Sequence, residues 1–174
     1  MNKELVINAT FSEVRIALLE NKKLVELHEE KPNNEFSVGD IYLGKVKKLV
    51  PGLNAAFVNV GYERDAFLHY LDLGPQLQSL QKFVKNTRTG KQDSPELGGF
   101  KFSEEIDKNG NIKDVLVQGQ EILVQVSKEP ISTKGPRINC EVSLAGRFLI
   151  LVPFSEKVNI SSKIRSKAER TRLK

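Results

Sequence analysis

Phe57 and Phe67 stand where residue types alternate with period two. Ala56, Val58 and Val60 fall on one face, and Ala66, Leu68 and Tyr70 on one face of the following strand. Those faces are apolar and suit a core. Ala55, Phe57 and Asn59, and then Asp65, Phe67 and His69, fall on the opposite faces. Two aromatics on the wet side of a small barrel, with lysines nearby, make a platform for stacking unpaired bases. Two rings that cover a hydrophobic patch or an inserted loop give the same pattern, and alternation alone does not separate the two.

A second stretch with chemical potential is Lys134-Gly135-Pro136-Arg137. Glycine lets backbone approach a phosphate closely, and the two cations supply charge. A turn with surface charges reads the same way. Gly39 to Val46 nearly spells a phosphate loop, but Val46 stands where a magnesium-binding hydroxyl is needed. The interior Ile41-Tyr42-Leu43 is strand-like rather than a glycine-rich loop opening into a helix, so nucleotide binding is disfavoured. Asp40, Asp65, Asp72 and Asp114 are scattered over expected strand edges and turns, with no pairing that suggests a two-metal clamp. His28 and His69 are far apart in sequence, and Cys140 is the single cysteine, so no metal-ligand cluster and no internal disulfide is visible. Cys140 alternates with Ile138 and Val142 and reads as a small buried side chain.

The elements that must position these residues are mostly strands. Residues 4 to 30 read as a three-strand meander, Glu4 to Asn8, Val14 to Leu19 and Leu24 to Glu30, with a hairpin turn at Glu20-Asn21-Lys22. Lys31 to Glu35 is a short linker. A barrel is expected from Phe36 to Lys128, with a turn at Pro51-Gly52. Residues 74 to 111 read as a long, mobile polar loop with its tip at Thr87 to Pro95. Glu121 to Ser127 closes the barrel. Strands are expected at Ile138 to Ser143 and Arg147 to Val152, and a helix from about Ser162, capped by Ser161 or Ser162.

With 174 residues, 39% apolar and 28% charged, the chain fits a soluble globular protein, and no run approaches a membrane span. The charge is uneven. Residues 1–35 carry a net −2, residues 36–130 a net of zero, and residues 131–174 hold 10 basic and 3 acidic side chains, a net +7. A basic final third suits a polyanionic partner, because clustered lysine and arginine displace counterions from phosphate. A solvated basic helix surface has the same composition.

The run Asp40-Ile-Tyr-Leu-Gly-Lys-Val, then Pro51-Gly-Leu-Asn-Ala-Ala-Phe-Val-Asn-Val-Gly, then Glu63-Arg-Asp-Ala-Phe-Leu resembles the S1-type RNA-binding barrel of the ribonuclease E/G endoribonucleases. The resemblance continues in order through Asn111-Ile-Lys-Asp-Val-Leu, Gly119 to Pro130, Thr133-Lys-Gly-Pro-Arg and Ser143 to Pro153, and starts at Leu5-Val-Ile-Asn-Ala-Thr. It implies a mainly β (α+β) fold. An S1-type OB-fold barrel (36–128) follows the first strands of a ribonuclease-H-like subdomain (1–35) and precedes the start of a 5′-sensor region (129–174). Residue by residue it implies that Phe57, Phe67 and Lys134 hold single-stranded RNA. It also implies that Gly146 and Ile150 form part of a pocket for the RNA 5′ end, although Ile150 by itself reads as a strand core residue.

The activity implied is single-strand-specific endoribonuclease action in rRNA processing and mRNA decay. Its carboxylates and Mg2+ lie in a later subdomain, so no catalytic or metal residue and no cofactor is assigned to this chain, which alone is expected not to cut RNA. A cytoplasmic protein that forms homo-oligomers at full length is implied as well. The last helix has only Ile164, Ala168 and Leu173 to bury, which reads as the N-terminal part of a longer protein. The competing reading is a non-catalytic OB-fold module of a translation or ribosome-associated factor.

Overall fold

The computed structural model describes residues 2–30, 36–92, 94 and 96–174. The expected linker at 31–35, and Asp93 and Pro95 of the expected loop tip, lie outside the described residues. Strands β1 (Lys3–Ala9), β2 (Val14–Glu20) and β3 (Lys23–Glu30) form an antiparallel meander. Asn21 and Lys22 both take positive φ, 49° and 66°. That is the two-residue hairpin geometry whose twist matches the strands it joins. A bulge interrupts the β2–β3 register between Leu18 and Leu19. The apolar side chains of the two outer strands stay open: Leu5, Ile7, Leu24 and Leu27 are all exposed.

The next unit is closed. Strands β4 (Ile41–Val50), β5 (Ala55–Asn59), β6 (Ala66–His69), β7 (Glu121–Lys128) and β8 (Arg137–Asn139) make a five-stranded barrel in the order β4-β5-β6-β8-β7, and β7 returns to β4. Inward positions follow the alternation: Val46, Ala56, Val58, Ala66, Leu68, Ile122, Val124, Val126 and Ile138 are buried. A short 3-10 turn, Pro51–Leu53, ends in Asn54 at φ 47°. The Asn54 amide donates to Gly110 O at 3.1 Å and accepts from Ile112 N at 2.7 Å. It thereby fixes the short helix α2 (Ile112–Val115) beneath the barrel, with Ile112 and Leu116 in the core. Buried Gln125 donates to Gly39 O and Ser143 O and accepts from Ser143 N, so its desolvated amide is satisfied.

Several expectations are corrected. The barrel does not end at Lys128. Its closing strand is β8, because a sheet closes only when the last edge pairs, and Phe67 of β6 pairs in parallel with Arg137. Residues 74–111 are not all loop. They contain a twelve-residue helix, α1 (Leu77–Arg88), ahead of α2. Leu77, Leu80 and Val84 form the i, i+3, i+7 stripe that drives it, and Leu77 and Leu80 are buried. Phe83 then meets Phe100 and Phe154 with centroids 5.9 and 5.6 Å apart, so the insert packs against the segment that follows the barrel.

That segment holds less strand than its pattern suggested. The hairpin of β9 (Leu144–Ala145) and β10 (Ile150–Leu151) has two residues a side. Helix α3 (Lys167–Leu173) starts later than expected, capped by Ser166, whose hydroxyl accepts from Glu169 N at 3.4 Å. Cys140, just after β8, is buried as read, and desolvation pushes its thiol up to about 12, with the Asp72 charge adding to it. Among the described residues no helix is long and apolar enough to cross a membrane.

Candidate nucleic-acid interface

The outward faces of β5 and β6 carry the aromatic pair. Phe57 and Phe67 are direct cross-strand partners. Their rings lie edge to face, with centroids 5.9 Å apart and planes at 67°. Both are half-buried, while Ala56, Val58, Ala66 and Leu68 between them are fully buried. The alternation phase is therefore the one the sequence indicates. Lys48 of β4 stands opposite Phe57 on the other side, with its side chain in solvent.

Lys134 reaches the same place by a route through the chain's turns. After β7, Ile131 and Lys134 bond each other's backbone across a tight turn in which Ser132 has φ 51°. Gly135 then passes directly against the carbonyls of Arg64 and Asp65, where a Cβ would collide with backbone. The strap continues with Phe67 N donating to Pro136 O at 2.9 Å, and then enters β8. The result is an open cleft of about 690 Å3 whose lining includes Phe57, Phe67, Lys134, Arg64, Asp65 and Arg137.

The charges around the cleft are mixed in their commitments. Arg137 donates through Nη2 and Nε to Asp72 Oδ2 at 2.8 and 3.0 Å. Lys47 pairs with Asp65 Oδ1 at 3.3 Å. Lys134, Arg64 and Lys48 have no ion pair among the described residues. An aromatic floor with uncommitted cations at its rim suits stacking of an unpaired base and contact with its phosphate. Arg64 was not picked out from sequence. Its only signal was adjacency to the second strand, and the Gly135 contact is what brings it to Lys134.

Gly146 and Ile150 sit together but elsewhere. They belong to the β9–β10 hairpin, where Gly146 N donates to Leu149 O at 2.8 Å, and neither lines the cleft. Ile150 is 67% exposed, which corrects its reading as a core residue; both residues of its short strand are open among the described residues. Asp40 accepts from Ser37 N and Tyr42 Oη in a turn, and Asp72 and Asp65 are ion-paired. No three His, Cys, Asp or Glu side chains come together as metal ligands among the described residues.

Fold and cleft define a mainly β protein built on a closed five-stranded barrel of OB type, with an aromatic pair on its outer face. No family model matches the chain. Individual proteins do. It is 34% identical over 174 residues to ribonuclease G of Escherichia coli (strain K12), covering all of this chain and 32% of that protein. It is 37% identical over 171 residues to ribonuclease G of Haemophilus influenzae, covering 98% of this chain and 31% of that protein. It is 39% identical over 138 residues to ribonuclease E of Nostoc sp., covering 79% and 16%. The chain belongs to the ribonuclease E/G family and corresponds to that family's N-terminal region. It spans about a third of the length of the ribonuclease G proteins it matches.

Proposed function

We propose that this chain is the RNA-capturing part of a ribonuclease E/G-type endoribonuclease. The observation that carries the reading is the convergence of Phe57, Phe67 and Lys134, far apart in sequence, on one cleft. Single-stranded RNA is the fitting substrate, because stacking on the Phe57–Phe67 pair needs a base free of its partner. Lys134 and Arg64 take the flanking phosphates. The match to ribonuclease G runs past the barrel to the end of the chain, which favours the enzyme over a free-standing barrel of a translation factor.

Captured RNA is presented to a phosphodiester-hydrolysing site outside this chain. On this reading Mg2+ and the catalytic carboxylates belong to another part of the full-length protein, and this chain alone does not cut RNA. Gly146 and Ile150 contribute to 5′-end sensing there. The full-length protein is a cytoplasmic homo-oligomer that acts in rRNA processing and mRNA decay.

The test is fluorescence anisotropy with short unstructured RNA and with the same sequence in a duplex. Single strands should bind and duplex should not. Affinity should fall as salt rises with a slope set by roughly 2–4 neutralised phosphates at about 0.7 each. Absence of binding to single strands at low salt sinks the reading.

A further inference from the structure

The outer wall of the barrel carries cations that the cleft does not use. The β4–β5 register breaks between Val46 and Lys48, which leaves Lys47 as an extra residue. Such a bulge re-aims the side chains around it. Lys45, Lys47 and Lys48 are all exposed in consequence, while Val46 is buried and Leu49 packs against the core. Lys48 stands opposite Phe57, and Lys45 opposite Asn59, two positions along the same face of β5. Lys47 is held by Asp65, whereas Lys45 and Lys48 make no ion pair among the described residues.

On the other side of β4, Glu121 of β7 is the register partner of Lys45. Its carboxylate is already taken, because Arg88 at the end of α1 donates to it. Asn59, Lys45 and Glu121 thus form a row over three adjacent strands, about 10 Å across. Beyond Glu121 lies an open groove of about 790 Å3 between α1, α2 and the start of β7. Lys82, Lys85 and Arg88, three residues apart on one face of α1, line it and outnumber Asp114 and Glu121. Lys82 donates to Lys101 O at 2.7 Å, while Lys85 is exposed and makes no ion pair among the described residues.

We propose that RNA leaving the Phe57–Phe67 pair runs over the outer wall of β4 and β7 into the α1 groove, where Lys45 and then Lys85 take its backbone phosphates. The inference rests on the RNA-capture reading above and adds a second contact region, supplied by the insert that carries α1. Two features favour a polyanionic strand on this path. Arg88 neutralises Glu121, the acid that would otherwise hold Lys45, and so leaves that cation for phosphate. Lys48, Asn59, Lys45 and Glu121, between the aromatic pair and the groove, are all exposed, so the path is open to a strand. Contacts of this kind position a strand without reading its sequence, and a barrel of this type holds roughly 4–16 nucleotides.

The experiment titrates the 174-residue chain with labelled oligouridines of about four and about twelve nucleotides over a range of salt. Each further neutralised phosphate steepens the salt dependence by about 0.7, so the longer strand should show a slope greater by about 1.4. The double variant K45Q/K85Q should bring that slope down to the value of the short strand. It should also weaken the longer strand about tenfold at low salt, with the short strand bound nearly as before. A longer strand gains apparent affinity from its extra registers alone, but that gain leaves the slope unchanged and survives in K45Q/K85Q. The slope comparison uses the unaltered chain and decides the matter even if the variant folds poorly. Equal slopes for the two lengths overturn the inference and leave RNA capture standing, and so does a steeper slope that persists in K45Q/K85Q. Failure to bind either strand at low salt overturns both readings.

Discussion

The N-terminal meander and the barrel are both built mainly of antiparallel strand pairs, yet they bury very different amounts. In the barrel, Ala56, Val58, Ala66 and Leu68 have no exposed surface. In the meander, Leu5 and Ile7 are about three-fifths exposed, at 61% and 59%. The difference is closure. Five strands that return on themselves enclose one face completely and leave no open edge. A three-stranded ribbon encloses nothing, and among the described residues its strands pair only with each other. The closed unit can therefore hold Phe57 and Phe67 at fixed separation on its outside, because its inside is already filled.

The strongest way to break that comparison is to remove volume from each region. Leu68→Ala should cost about 2–5 kcal/mol, since no neighbour in a closed barrel can collapse fully into the gap. Ile7→Ala, on an exposed face, should stay within about 0.5 kcal/mol. Urea unfolding of the two variants measures both, and similar costs would mean the meander is as well packed as the barrel.

The next contrast is between the two sides of the barrel wall. Phe57→Ala or Phe67→Ala should weaken single-stranded RNA binding by about 1–3 kcal/mol. The accompanying stability loss should be well below that of Leu68→Ala, because each ring is only half-buried. Paired melting and anisotropy measurements separate the two effects. A large loss of melting temperature with unchanged affinity of the folded fraction would assign both rings to packing alone.

The smallest effect sharpens the comparison from the meander side. Lys22 holds φ 66° in the β2–β3 turn, a region that costs a residue with a Cβ. Lys22→Gly, giving Asn-Gly, should stabilise the hairpin by up to about 1 kcal/mol. Slower amide exchange in β2 and β3, with barrel amides unchanged, is the expected readout. Slower exchange throughout would show that the two units unfold together.

The sequence by itself carried the local half of this protein. Period-two alternation fixed which residues of β5 and β6 face inward, because successive side chains in a strand must point to opposite sides. The turn chemistry of Asn21-Lys22 and Pro51-Gly52 placed the strand ends. Helix α1 was legible too, in Leu77, Leu80 and Val84, but a surrounding excess of polar residues masked it; the Ser166-to-Glu169 cap was likewise there to be read. What only the tertiary structure decided was closure and convergence. No local pattern states that β8 pairs in parallel with β6, since that contact joins residues 70 positions apart, Phe67 and Arg137. The same closure carries Lys134, Gly135 and Arg64 to one cleft and sets Asp65 beside the aromatic pair. Side-chain direction is a property of the strand, whereas a site assembled from several strands exists only once the barrel has shut.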